Sequence, residues 1–163
     1  MADIKFDETS KAVALVELMF FAYRDFVADP DHLLEGLNFG RAHHRVLHFV
    51  GRNPGLTVAG LLEILQITKQ SLARVLKDLI DGGYIYQMAG AEDRRQRLLH
   101  LSPSGEALGA KLIAPQIARF QRAFAESQFQ PEAFSAMLLH LIDPANQEMA
   151  QRLAQGMAAL ADG

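Results

Sequence analysis

Three short stretches of this sequence hold side chains whose types and spacing can do chemistry. The first is Thr68-Lys69-Gln70-Ser71-Leu72-Ala73-Arg74, with two cations and three neutral hydrogen-bonding side chains in about two helical turns. Gln can bond an adenine edge at two points, Arg or Lys a guanine edge, and short hydroxyls suit phosphates. The second is Asp93-Arg94-Arg95-Gln96-Arg97, a run with three guanidinium groups. Arginine suits a narrow minor groove, where the potential is most negative. Asp93 is out of place for a phosphate contact, and its expected task is to hold Arg95 by a charge-assisted hydrogen bond. The third is His43-His44-Arg45-Val46-Leu47-His48, where His44 and His48 stand four residues apart on one helical face. That spacing can serve a metal. The protease signature HExxH is absent, because position 45 is Arg. Packing, polar contacts at a helix junction or the lining of a ligand pocket is the more ordinary use of all three histidines. A zinc-responsive protein stays as the alternative.

The elements that must position these residues follow from apolar spacing and punctuation. Val13, Val16, Phe20, Tyr23 and Val27 recur at spacings of three and four from about Ser10 to Ala28, and Leu15, Met19, Ala22 and Phe26 form a second stripe. This predicts a helix apolar on two faces, one for its own subunit and one for a partner helix. Asp29-Pro30-Asp31 predicts its end, since the residue before proline disfavours helix. A second helix is expected from Phe39 to Arg52, stopped by Asn53-Pro54-Gly55. Thr57 caps a short helix, Val58 to Leu65, and Gln66-Ile67 turn the corner. Thr68 caps the next helix, Lys69 to Asp81, which Gly82-Gly83 terminate. There Leu72, Val75, Leu76, Leu79 and Ile80 form the inner stripe. Two helices joined by so short a turn make a helix-turn-helix. Tyr84-Ile85-Tyr86-Gln87-Met88 and Arg97-Leu98-Leu99-His100-Leu101 read as a hairpin with the charged tip Ala89 to Gln96. Ser102-Pro103 opens a further helix, with Pro115 a kink, and a last helical stretch is marked by Phe134, Leu138 and Leu141. Beyond Asp143-Pro144, Met149, Leu153, Met157 and Leu160 continue the pattern.

Composition narrows the classes. The chain has 163 residues, is 50% hydrophobic and 21% charged, and contains no cysteine. It can bury a core, and it has neither a disulfide scaffold nor a thiol switch. The N-terminus is acidic, unlike a signal peptide, and no apolar run is long enough to span a bilayer, so a cytoplasmic protein is expected without a membrane partner. The net charge of −3 hides an asymmetry: residues 41–100 carry nine Lys and Arg against five acids, while the rest carries seven against fourteen. A basic middle between acidic ends fits a polyanionic partner. No glycine-rich phosphate loop, nucleophile elbow or plausible triad is present, so neither an enzyme nor a cofactor is expected.

The fold class expected is mainly α with a small β-hairpin wing (α+β), a winged helix-turn-helix core flanked by N- and C-terminal dimerisation helices. The divisions are residues 1–38, 39–102 and 103–163. In the core, Gln70, Ser71 and Arg74 are expected at bases and Thr68 and Lys69 at phosphates. At the wing, Arg95 is expected in the minor groove and Arg94 and Arg97 on the backbone. A winged helix used only for protein contacts, the other alternative, would tend to show apolar residues where Gln70, Ser71 and Arg74 stand.

Residues 55–58, 67–76 and 79–85, together with Asp93-Arg94-Arg95-Gln96-Arg97-Leu98-Leu99-His100-Leu101-Ser102-Pro103-Ser104-Gly105, resemble the MarR family of winged-helix transcriptional regulators. The Asp-x-Arg of the wing, Asp93 and Arg95, is the most specific part. Gly60 departs from the pattern, which often has an acid there. The resemblance implies a homodimer on a pseudo-palindromic double-stranded DNA operator, acting as a repressor that a small-molecule effector can relieve. It places an effector pocket between the dimerisation helices and the DNA-binding unit, where Phe20, Tyr23, Arg24, Phe39, His43 and Phe120 are the candidates.

Overall fold

The structure is a computed structural model that describes residues 8–156. Seven helices and three strands follow in the order α1 (Glu8–Glu35), α2 (Arg41–Arg52), β1 (Leu56–Thr57), α3 (Val58–Leu65), α4 (Lys69–Asp81), β2 (Ile85–Ala89), β3 (Arg97–Leu101), α5 (Pro103–Ser127), α6 (Pro131–Leu141) and α7 (Pro144–Ala154). The expected continuation through Met157 and Leu160 lies outside the described residues.

Capping chemistry sets the boundaries of the central unit. The Thr57 hydroxyl accepts the Gly60 N–H at 3.0 Å and the Thr68 hydroxyl accepts that of Ser71 at 3.1 Å. Each satisfies one of the donors a helix start leaves open. Between α3 and α4, Gln66 adopts a left-handed conformation (φ +50°) and turns the chain toward the second helix. At the other end, Ser102 caps α5 by accepting the Gly105 N–H, while its own hydroxyl donates to the Gly83 carbonyl. The start of α5 is thereby seated on the turn that ends α4. Gly105 is obligatory there, since a Cβ would lie 2.1 Å from the Tyr84 carbonyl oxygen.

The expected hairpin is two-thirds of a sheet. Strands β2 and β3 pair antiparallel from Ile85 opposite Leu101 to Ala89 opposite Arg97, and β1 adds Leu56 and Thr57 opposite Leu99 and Leu98, giving the order β1-β3-β2. A strand of two residues is too short to show any alternation in sequence.

Pro30 does not end α1, contrary to the sequence expectation. A proline at this position removes the N–H that would bond the Phe26 carbonyl four residues earlier. That carbonyl accepts the Gln116 side-chain amide of α5 instead, at 3.2 Å. Pro30 itself is buried, and the extra turns carry Leu34 into the core with no exposed surface. Arg119 of α5 pairs with Asp29 at 3.2 Å beside the same turn. Helix α5 also runs on through a proline, Pro115.

The core lies where α2 crosses α4 and the sheet. Val46, Leu47 and Val50 of α2 pack with Leu61, Leu72, Leu79, Leu99 and Leu112, all essentially without solvent contact. The flanking helices are different. Residues 9–24 of α1 are exposed throughout, apolar side chains included, and neither α6 nor α7 has a fully buried residue. Among the described residues no helix is long and apolar enough to cross a membrane.

Candidate nucleic-acid interface

Helix α4 buries Leu72, Val75, Leu76 and Leu79 and turns Lys69, Gln70, Ser71 and Arg74 outward. Lys69, Gln70 and Arg74 make no side-chain hydrogen bond or ion pair among the described residues. Thr68 is committed, because its oxygen accepts the Ser71 N–H while its hydroxyl proton points to Ser71 Oγ at 2.9 Å. Ser71 therefore keeps its own hydroxyl proton to donate outward. The acids of α4 are both engaged, Asp78 with His43 at 2.9 Å and Asp81 with Lys77. The outer edge of the first turns is thus polar, cationic and free of competing carboxylates.

The wing tip is braced through its main chain. The Asp93 carboxylate accepts the Arg95 backbone N–H at 2.9 Å, a charge-assisted hydrogen bond that holds Arg95 through its main chain. A short carboxylate two residues before an amide readily closes such a local turn. The Gln96 N–H donates to the Asp93 carbonyl at 3.1 Å, and the Gly90 N–H to the Gln96 carbonyl at 3.1 Å. A Cβ at Gly90 would sit 2.6 Å from the Asp93 oxygen, so the tight tip requires glycine. Arg94 and Arg95 are left with their guanidinium groups in solvent, and Arg97 reaches only the Arg94 carbonyl, at 3.4 Å.

A crevice of about 400 Å³ opens between α1, α2 and α5. Of the six residues expected in a pocket, Tyr23 and Phe120 line it. Phe20 lies farther along α1, exposed, and Arg24 pairs with Asp25 and lies over the Phe21 ring. Phe39 and His43 stack on each other outside the crevice, against Asp78 and Tyr84. Beside Phe49, the polar part of the crevice wall contributed by α2 is instead Arg41, His44, Arg45 and His48. Their spacing of three, one and three already marks a single helical face in the sequence. Arg45 donates to the Tyr23 hydroxyl at 2.7 Å and Arg41 pairs with Asp31 at 3.0 Å. Burial pushes the imidazoles of His44 and His48 below the usual histidine range, and neighbouring positive charge acts the same way, from His48 on His44 and from Arg52 on His48. Among the described residues no group of three His, Asp or Glu side chains is placed to hold a metal ion.

A second cavity, of about 670 Å³, separates α7 from α2 and α3. Across it the Gln66 amide, at the turn before α4, donates to the Asn146 side chain at 2.9 Å.

A capped helix-turn-helix, a strand pair with an arginine tip and long outer helices define a winged-helix transcriptional regulator. The profile of the MarR family matches residues 37–96. Over 139 residues the chain is 45% identical to the HTH-type transcriptional regulator PetP of Rhodobacter capsulatus, covering 85% of this chain and 84% of that protein. The chain belongs to the MarR family of DNA-binding transcriptional regulators. Two solved structures share the fold. A MarR-family regulator from Silicibacter pomeroyi superposes with a TM-score of 0.64 at 20% identity, over 93% of this chain and 96% of that one. Streptococcus pneumoniae FabT, solved in complex with DNA, gives 0.60 at 19% identity, over 88% and 98%.

Proposed function

We propose that this protein is a homodimeric, sequence-specific repressor that reads a pseudo-palindromic operator in double-stranded DNA and releases it when a small organic effector enters the crevice between α1, α2 and α5. The observation that carries the reading is the outer edge of α4, with Gln70, Ser71 and Arg74 exposed and its acids paired, beside a wing whose arginines point to solvent. Gln70, Ser71 and Arg74 contact bases, and Lys69 takes a phosphate with Thr68 ordering the helix start. Arg95 enters the minor groove from a loop braced by Asp93, and Arg94 and Arg97 bind the backbone. FabT, a relative in fold, has been solved with DNA, which supports the same partner here.

Two recognition helices must lie roughly 34–36 Å apart to enter successive major grooves, which calls for a two-fold dimer. The exposed apolar face of α1, with Leu18 and Phe20, and that of α6, with Met137 and Leu141, supply the surface for it. The crevice combines the Tyr23 and Phe120 rings with Arg45 and two neutral-leaning histidines, a lining suited to a small aromatic or amphipathic molecule.

The test is selection of bound sequences from random duplex DNA, then anisotropy titration of the selected and scrambled duplexes at several salt concentrations. A preference of about a thousandfold, with steep loss at high salt and a dimer by light scattering, is expected. Equal affinity for both duplexes would overturn sequence reading, and a monomer at micromolar concentration the assembly. A selected site placed across a reporter promoter should lower its output, which separates a repressor from an activator.

A further inference from the structure

We propose that His43 and Asp78 form a clamp that sets the position of the recognition helix against α2, making His43 a positioning residue for operator reading. The inference rests on the reading of α4 as the base-contacting helix.

His43 is the only buried polar or charged residue among those described, at 8% exposure. Both ring nitrogens are used. Nδ1 lies 3.0 Å from the Gly40 backbone N–H at the start of α2. An amide N–H can only donate, so Nδ1 must present its lone pair and the ring proton must sit on Nε2. Nε2–H then donates to Asp78 Oδ2 at 2.9 Å. The faces of the ring are constrained as well. It stacks on Phe39, with centroids 4.6 Å apart and planes 8° from parallel, and Phe39 meets Tyr84 edge-on at 5.6 Å. A rotation of the imidazole breaks both polar links and the stack together.

The apolar contacts between α2 and α4 do not specify position in this way. Val46, Leu47 and Val50 against Leu72, Val75 and Leu79 are attractive over a range of small shifts, because the hydrophobic effect has no direction. The His43–Asp78 hydrogen bond is part-buried, with the imidazole 10% and the carboxylate 42% exposed. It has a narrow optimum in distance and angle, and missing it leaves the buried imidazole N–H without a partner. An apolar side chain at position 43 would bury equally well, so a buried imidazole there contributes orientation. Asp78 lies one turn beyond Arg74 on α4, and a displacement at Asp78 is transmitted to Arg74 through the helix. The same α2 presents His44, Arg45 and His48 to the crevice, so this helix joins the crevice wall to the recognition helix through adjacent residues.

Two substitutions isolate the hydrogen bond. Asp78→Ala and Asp78→Asn remove the same charge, so their electrostatic effect on DNA is common, but only Asn keeps an acceptor for Nε2–H. Affinities are measured for the selected duplex and its scrambled control. Asp78→Asn is expected to stay within about twofold of the parent preference and Asp78→Ala to lose about tenfold of it. His43→Phe, which keeps a ring to stack on Phe39, is expected to match Asp78→Ala with unchanged helical circular dichroism. Equal preference in the Ala and Asn variants overturns the clamp. Should Asp78→Ala fail to fold, the imidazole 15N spectrum of the parent protein decides: a proton on Nε2 with a bare Nδ1 upholds the clamp, and a protonated Nδ1 overturns it. A parent protein that selects no DNA sequence overturns the positioning role through α4 itself, and the spectrum still decides the hydrogen bond separately.

Discussion

Leu79 of α4 and Leu18 of α1 are the same residue in the same secondary structure with opposite fates. Leu79 has no exposed surface, while Leu18 is 62% exposed. The contrast holds for the regions around them. In the winged helix-turn-helix, capped helices and a three-stranded sheet close on a continuous core, and the polar residues left outside are those suited to nucleic acid. In the flanking helices apolar residues outnumber the contacts one chain can offer them, and contiguous exposed apolar surface of that kind marks an association site. One region completes its packing within the subunit and spends its surface on DNA. The other leaves apolar side chains of α1 and α6 in solvent, the surface that the proposed dimer would bury.

Mutations can break that comparison. Leu79→Ala should cost about 2–5 kcal/mol in urea unfolding, the range for deleting a fully buried leucine, independently of protein concentration. The matching change, Leu18→Ala, should show a smaller loss that grows as the protein is diluted; a concentration-independent loss of core size would mean that α1 is buried within a single subunit. Phe20→Asp combined with Val16→Asp should yield a folded monomer by light scattering. It should bind the selected operator about a hundredfold more weakly, close to 2.7 kcal/mol, because each subunit then binds its half-site alone.

Smaller effects sharpen the picture on the DNA side. Arg74→Ala is expected to cost about 1–3 kcal/mol on the selected duplex and to relax the preference at one base position. A uniform loss on scrambled DNA as well would reassign Arg74 to a phosphate. Thr68→Ala removes the cap of the same helix and should lower stability by about 1 kcal/mol, readable as a shifted unfolding midpoint.

The smallest expected effect is on pH dependence, and it belongs to the junction between the two regions. His44 and His48 titrate below the usual histidine value in the folded protein, mainly through burial. The unfolded chain therefore binds more protons near and below about pH 6.5, so stability is complete above that value and declines as the pH falls through it. Replacing both residues with Asn should flatten the stability profile between about pH 7.5 and about pH 5.5, and an unchanged slope would assign the acid loss to other groups.

Much of the central unit was legible in the sequence because its signals are local. Thr57, Thr68 and Ser102 each cap the helix that follows, and each does so with a hydroxyl that needs only the amide three residues ahead. The inner stripe of α4 and the hairpin run follow from periodicity within one element. The candidate crevice was less legible. Tyr23 and Phe120 line it, but His43 and its neighbour His44 stand only about 100° apart around α2, so which of them meets the crevice depends on where α2 lies.

The amino-acid order alone determined where α3, α4 and α5 start, which edge of α4 is polar and that the wing tip is cationic. These depend on caps, turns and side-chain spacing within a few residues, where the chain has few alternatives. Tertiary structure decided the rest. It joined β1 to β3 through Leu56 and Leu99, carried α1 past Pro30 by giving the Phe26 carbonyl a partner on α5, and turned His43 toward Asp78 and away from the crevice. Each of these pairs residues separated by 35 positions or more along the chain. Contacts at that separation become favourable only after the intervening chain has been closed, so no local pattern encodes them.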